Sequence, residues 1–375
     1  MLKSFVVIQK ARVQKQVDIW KSYLPYIKPF YAVKSNDDSR LMRWITEAYG
    51  PDQVGFDCAS ISEMESVRKI SKSAKIVYAQ PCKTRSDLHS AERFGITTTV
   101  VDSPEEMQKL HESGWKGDSL IRLAVPDNNS KQPFSKKFGA PISWVSGIFE
   151  LSKKYKIPIK GLSFHVGSEC ENPNQFSKAL KLCRLAMDIG TEANIKMDTI
   201  DIGGGFLPTS ANLSAVASCI ESSRHVLFPK NEAPCGNQIT WIAEPGRFLS
   251  SSCQTLYTPV IGKKRGLPSE DPEAPEFRYT LHESVYGYFS NIPFDGQKPQ
   301  FNVVYQKEKP LFPERNFSAT LFGRTCDGAD IINPYIKLPM LQEGDWLEVR
   351  DMGAYTNVTA STFNGFPKPD IIYIE

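Results

Sequence analysis

The sequence predicts an α/β fold, a (β/α)8 TIM-like barrel followed by an all-β unit, and three observations carry that expectation. Short β-branched or aromatic runs alternate with longer amphipathic stretches through the first two-thirds of the chain. Eight such runs fit into roughly 240 residues, the span of one closed barrel rather than an open sheet. After residue 252 the helical patterns thin out, and strands separated by turns take over.

Taken in order, the barrel strands are read from PFYAVKSN, QVGFDCAS, KIVYAQ, TTTVVDS, SLIRLAV, IKGLSFHVGS, DTIDIGGGF and TWIAEPGR. Each has an apolar interior, as parallel strands covered on both faces require, and a polar end. Helical periodicity falls on 60–71, 85–94, 104–113, 145–155, 174–192 and 214–226. Beyond the barrel, 254–261, 277–282, 301–304, 320–322, 346–349 and 371–374 read as strands. The acidic, three-proline stretch GLPSEDPEAPE at 266–276 reads as a mobile surface loop. The opening SFVVI supplies a further strand to the all-β unit, so the expected division is 12–252 for the barrel and 253–375 with 1–11 for the second domain.

Composition narrows the class. Of the 375 residues 41% are hydrophobic and 23% charged, which is globular material with enough apolar side chains for a core. The balance of 45 Lys and Arg against 42 Asp and Glu gives a net charge of only +3, without the basic clusters of a nucleic-acid or membrane-surface binder. No run approaches the roughly 18 apolar residues of a membrane span. The first residues turn polar too soon for a signal peptide. Eight cysteines without a CxxC pair, and five histidines without metal-ligand spacing, point to reduced thiols in the cytoplasm and to no metal site.

In such a barrel the reactive groups stand where strands end. Here those are Lys34, Asp57, His165 with Ser168, Gly203, Gly204 and Gly205, and Glu244 with Arg247. Each has an ordinary reading of its own: a lysine snorkelling to solvent, a hydrogen-bonded core histidine, a tight glycine turn. Together, a lysine, an anion cradle and a carboxylate at one barrel mouth point to a phosphorylated cofactor held as an imine. Lys34 leaves the hydrophobic strand Phe30–Val33, where partial desolvation lowers an amine pKa. Bare glycine amides approach phosphate closely, Arg247 adds charge, and Glu244 suits a pyridine nitrogen that must stay protonated to act as an electron sink. His165 is placed to stack on a planar ring.

The ordered motifs PFYAVKSND, GFDCASISE, YAQPCK, KKFGA, GLSFHVGS, DIGGGF, AEPGR, VYGYF, TCDGAD, MGAYT and ASTFNGF span more than 300 residues. In them the chain resembles the eukaryotic-type ornithine decarboxylases, fold-type III pyridoxal-phosphate decarboxylases of basic amino acids. The resemblance implies a C-terminal Greek-key-like β-barrel and a head-to-tail homodimer whose active sites are shared. It implies Lys34 as the cofactor-tethering lysine, Asp57 and Glu63 beside it, His165 on the ring, and Glu244 at the ring nitrogen. Ser168, Gly203, Gly204, Gly205, Arg247 and Tyr355 would hold the phosphate. From the second subunit, Cys326 would protonate Cα and Asp327 would face Asp295 across the distal amine of the substrate, with Tyr286 and Phe363 lining the pocket.

Several positions depart from the family pattern. Pro133 replaces an arginine, Glu169 a glycine, Arg324 a proline and Phe294 a tyrosine. Gly296 replaces a histidine, Tyr288 a small residue, and Glu283-Ser284 an acid-glycine pair. The function implied is decarboxylation of L-ornithine to putrescine. The alternatives are a paralogue acting on lysine, arginine or an ornithine-like metabolite, a non-catalytic homologue like the antizyme inhibitors, and an amino-acid racemase, for which no opposing acid-base residue stands out.

Overall fold

The computed structural model describes residues 2–128, 130–267, 274–307 and 315–375. Strand β1 (Phe5–Gln9) and helix α1 (Lys10–Tyr23) open the chain. There follow β2 (Lys28–Ala32), α2 (Ser39–Tyr49), β3 (Gly55–Cys58), α3 (Ile61–Ile70), β4 (Ile76–Tyr78) and α4 (Arg85–Arg93). Next come β5 (Thr98–Val101), α5 (Pro104–Glu112), β6 (Asp118–Arg122), β7 (Ser130–Gln132), α6 (Ile142–Tyr155) and β8 (Ile159–Ser163). The alternation ends with β9 (Ser168–Cys170), α7 (Asn174–Glu192), β10 (Thr199–Asp201), α8 (Ser210–Leu227), β11 (Thr240–Ala243) and α9 (Arg247–Ser250).

Two compact units result, Val13–Leu249 and Met1–Arg12 with Ser250–Glu375. In the first, β2, β3, β4, β5, β6, β8, β10 and β11 run parallel and close into a barrel, β8 pairing with β10 and β11 with β2. Phe30, Val77, Val100, Leu120 and Ile242, contributed by five different strands, cluster as its apolar core. Helix starts are fixed locally: Asp38, Ser60, Thr84, Ser103 and Thr209 each accept a backbone N–H of the first turn, a bond worth about 1 kcal/mol per cap. Thr209 draws α8 back to Ser210, four residues before the apolar periodicity becomes legible. The strand and helix segments read from the sequence are all present.

Two short strands were not expected. The tripeptides of β7 and β9 pair antiparallel, Gln132 opposite Ser168 and Ser130 opposite Cys170, and tie two barrel loops together.

The second unit adds β12 (Gln254–Arg265), β13 (Phe277–Leu281), α10 (Asn291–Asp295), β14 (Phe301–Tyr305) and β15 (Asn316–Phe322). It ends with β16 (Ile331–Pro339), β17 (Trp346–Val349) and β18 (Asp370–Ile374). They form an eight-stranded mixed sheet in the order β14-β17-β12-β13-β15-β16, with β1 joining β12 and β18. The β1–β18 and β13–β15 pairs are parallel. The opening strand read from SFVVI is thus in the sheet. The centre of the acidic 266–276 loop, residues 268–273, lies outside the described residues. No helix among the described residues is long and apolar enough to cross a membrane.

Candidate active site

Strand register sets the barrel mouth. Ala32 of β2 lies opposite Asp57 of β3, so Lys34, in the single 3-10 turn that ends β2, meets that carboxylate. Lys34 Nζ donates to Asp57 Oδ2 at 2.7 Å, with the lysine side chain 38% exposed and the aspartate fully buried. The turn itself is anchored by buried bonds, Tyr31 Oη to Asn36 O at 2.8 Å and Ser35 Oγ to Ala32 O at 2.9 Å. The second oxygen of Asp57, Oδ1, is buried and has no hydrogen-bond partner among the described residues.

Across the mouth, β10 ends at Asp201 and β11 runs into Glu244. Burial pushes the Glu244 carboxyl far above its usual range, reinforced by the negative charges of Asp201 and Asp57. Burial likewise raises Asp201 to about 6, although it accepts the Gly203 N–H. With the Asp57 charge adjoining, Asp201 and Glu244 hold protons more readily than either would alone, and a cationic nitrogen entering among them would be stabilised. Arg122, at the end of β6, already supplies a half-buried positive charge there. Burial lowers its pKa, against the pull of Glu244, Asp102, Asp57 and Asp201. Its guanidinium lies 4.9 Å from the centre of the Phe138 ring. Sequence reading missed both Asp201 and Arg122, although SLIR and DTID carry them at strand ends like the residues it chose.

His165 follows β8. Burial holds its imidazole well below the usual range, with Arg122 and Lys34 adding repulsion. Its Nδ1 accepts the Gly167 N–H at 3.0 Å, which leaves the proton of the neutral ring on Nε2. Phe134 meets it edge-on at 4.8 Å. Phe134 is placed by Asp127, whose buried carboxylate also accepts Ser135 N–H at 2.7 Å and Ser135 Oγ at 2.6 Å. Pro133 precedes Phe134 in this loop and so brings no cation to the mouth. Beneath the imidazole lies Gly204, where a Cβ would fall 2.8 Å from Nε2. The amides of Gly204 and Gly205 have no acceptor among the described residues.

Beside these amides, Arg247 Nη2 donates to Ser168 Oγ at 3.3 Å, and its Nε lies 3.3 Å from Glu169 Oε1. Glu63 sits at the start of α3, where its carboxylate accepts the Ala59 N–H at 2.6 Å and burial raises it to about 7. It therefore works as a helix-capping group whose charge also reaches Asp57 and Lys34.

The remaining candidates lie in the sheet unit. Tyr286 Oη donates to Asp327 Oδ2, and the Tyr286 and Phe363 rings lie 4.5 Å apart. The N–H and thiol of Cys326 both point to Asn364 Oδ1, at 3.3 and 3.5 Å. The Ala329 N–H and the Tyr286 hydroxyl hold Asp327 below the usual carboxylate range. Asp330 ties the loop, its Oδ2 accepting from Thr325 N and Oγ1 at 3.0 and 2.6 Å. The structure thus gathers Cys326, Asp327, Tyr286 and Phe363. Asp295 stands apart from them in its contacts: it is buried at the end of α10 and accepts from Gln297 Nε2 at 2.9 Å. Tyr355 has left-handed backbone, φ +55.

Among the departures, Arg324 donates to Pro367 O at 2.9 Å and stacks on Phe366 at 4.4 Å. Tyr288 is core, its hydroxyl bonded to Gln254. Gly296 caps α10 at φ +61, and Phe294 is 67% exposed.

A phosphorylated pyridine aldehyde fits the barrel mouth. There are unpartnered glycine amides with a serine and an arginine for its phosphate, a buried acid for its ring nitrogen, a flat neutral imidazole, and an amine held by Asp57. The site and fold define a pyridoxal-phosphate-dependent barrel enzyme. Residues 10–251 match the pyridoxal binding domain of the pyridoxal-dependent decarboxylases. Over 98% of its length the chain is 35% identical to ornithine decarboxylase of Panagrellus redivivus, covering 85% of that protein. It is 34% identical to antizyme inhibitor 2 of Xenopus laevis over 96% of the chain and 78% of that protein. Its fold superposes on the crystal structure of the arginine decarboxylase of Paramecium bursaria Chlorella virus bound to agmatine with a TM-score of 0.90, at 34% identity, covering 100% of this chain and 98% of that one. The chain belongs to the pyridoxal-dependent decarboxylases that act on basic amino acids.

Proposed function

We propose that this decarboxylase converts L-ornithine to putrescine, in the cytoplasm, as a homodimer in which each active site draws on both subunits. The observation that supports catalysis most directly is the intact set of Lys34, Asp57, His165 and Glu244 in one mouth, with Lys34 and Asp57 in contact at 2.7 Å. A protein that only sequestered a partner, as the antizyme-inhibitor reading holds, would have no use for a lysine so held.

Pyridoxal phosphate, when bound, supplies a protonated pyridine ring into which electrons from the breaking carbon–carboxylate bond can flow. Glu244 keeps the ring nitrogen protonated. His165, neutral and fixed through Nδ1, provides a flat face without adding charge. Lys34 presents the amine that tethers the cofactor, and Asp57 orients it, with Glu63 behind. Ser168, Gly204, Gly205, Arg247 and Tyr355 would hold the phosphate, whereas the Gly203 N–H expected to join them is spent on Asp201 Oδ1 at 2.9 Å. Cys326 of the second copy delivers a proton to Cα, and its neighbour Asp327 pairs with Asp295 around the distal ammonium. Two carboxylates reading one amine favour substrates that carry it, because a substrate without the amine forgoes two charge-assisted bonds. Asp295, an aspartate rather than a longer acid, suits a chain of ornithine length.

Release of carbon dioxide from ornithine, lysine and arginine by the purified holoenzyme tests the substrate. Ornithine should give the highest kcat/KM, and a preference for arginine or lysine would refute the assignment. Subunit sharing is tested by mixing Lys34→Ala and Cys326→Ala proteins, each nearly inactive. Random pairing should restore about a quarter of the sites, and no recovery would refute shared sites.

A further inference from the structure

The barrel unit carries an anion of its own beside the residues that the proposed function assigns to phosphate. Glu169 adopts left-handed backbone, φ +52, a conformation that a glycine adopts freely and a side chain with a Cβ does not. That backbone turns its carboxylate inward, leaving the side chain only 14% exposed. One oxygen, Oε1, lies 3.3 Å from Arg247 Nε, on the guanidinium edge whose Nη2 donates to Ser168. The other, Oε2, lies 3.0 Å from Lys131 Nζ. Lys131 is carried by β7, which pairs with β9 on either side of Glu169.

The sheltered carboxylate therefore stands between two cations. A phosphate that reaches both Ser168 and Arg247 brings a like charge to within a few ångströms of Glu169, in a setting where water screens poorly. Lys131, more exposed and on a separate strand, gives the carboxylate a second cation to rest on.

We propose that Glu169 is a built-in competitor for the cofactor's phosphate, which holds Arg247 before loading and passes to Lys131 when phosphate binds, so that this exchange sets cofactor affinity. The proposal rests on the assignment of Ser168, Gly204, Gly205 and Arg247 as the phosphate cradle.

The test is titration of cofactor-stripped protein with pyridoxal phosphate, followed by tryptophan fluorescence and cofactor absorbance, with phosphate-free pyridoxal as a second probe. Glu169→Gln should tighten pyridoxal phosphate about tenfold. Lys131→Met should weaken it several-fold, because Glu169 loses its alternative partner. The double variant should behave as Glu169→Gln alone, and pyridoxal affinity should not move in any of them. Unchanged or weaker pyridoxal phosphate binding by Glu169→Gln overturns the proposal, as does an equal shift for pyridoxal. Arg247→Met separates this failure from failure of the cradle. If Arg247→Met leaves pyridoxal phosphate affinity unaltered, the cradle assignment itself is wrong. If it weakens binding while Glu169→Gln does not tighten it, the competitor alone is refuted.

Discussion

Adding one methyl group at Gly204 should impair the site while leaving the barrel folded. A Cβ there would lie 2.8 Å from His165 Nε2 and 2.9 Å from the Glu244 carbonyl oxygen. Comfortable contact begins near 3.4 Å, so the imidazole must retreat by about 0.6 Å. It has little freedom to do so, being held through Nδ1 by Gly167 and flanked by Phe134 at 4.8 Å. Overpacking of this kind costs about 1–3 kcal/mol of stability. A misplacement of about 1 Å costs up to ~100-fold in rate, so roughly tenfold is expected in kcat/KM. The measurement is carbon dioxide release alongside thermal unfolding. Gly203→Ala and Gly147→Ala bracket the result. At Gly203, φ is +64 and the Cβ would sit 2.1 Å from the Phe164 carbonyl, which cannot move, so folding itself should fail. At Gly147, within α6, nothing lies within 4 Å, and alanine should be neutral or stabilising by up to about 1 kcal/mol. Full activity and an unaltered cofactor spectrum in Gly204→Ala would mean that His165 does not bear on the ring.

Glu106→Ala strands the fully buried Lys83, which lies 3.0 Å from the carboxylate. A loss of about 3–5 kcal/mol is expected in urea unfolding, and a loss below 1 kcal/mol would show that the bonds from Lys83 to the Gln80, Pro81 and Val100 carbonyls suffice. Burial raises the Glu283 carboxyl to about 7. The folded state therefore binds the extra proton, and stability falls as pH rises from the unfolded value near 4.5 through 7. Relative to wild type, Glu283→Gln should gain up to about 3 kcal/mol between pH 5 and pH 8, and a pH-independent difference in melting would exclude this titration. Asp295→Asn removes a charge from a buried acid assigned to the distal ammonium. It should lower kcat/KM for ornithine by about 2–5 kcal/mol, and unchanged specificity would displace Asp295 from the substrate.

The barrel was legible because most of its strands are largely apolar runs buried on both faces, a pattern that survives in sequence without help from neighbours. The same logic found Lys34, Asp57 and Glu244 as the polar residues that end such runs. Arg122 escaped because in SLIRLAV it is followed by further apolar residues and reads as a strand interior. Asp201 was eclipsed by the glycines after it. Strands β7 and β9 were illegible for a different reason: SKQ and SEC have no apolar period, and only their pairing makes them strands. Strand β16 was missed because Pro334 and Pro339 argue against a strand. Its place at the end of the sheet order is where proline can be accommodated. Glu63 illustrates the converse, since its motif was recognised while its carboxylate proves to be committed to the Ala59 N–H.

The placement of β1 has a consequence for biosynthesis. Strand β1, which precedes the barrel in the chain, pairs with β12 and β18, which follow it, Phe5 lying opposite Tyr257 and Asp370. It must therefore wait, unpaired, while the whole parallel barrel is translated. The barrel can close during that interval, and the sheet cannot be completed until β18 emerges. A nascent chain stalled shortly before residue 370 should thus carry a finished barrel while β1 still lacks β18 and stays open to proteolysis on that edge.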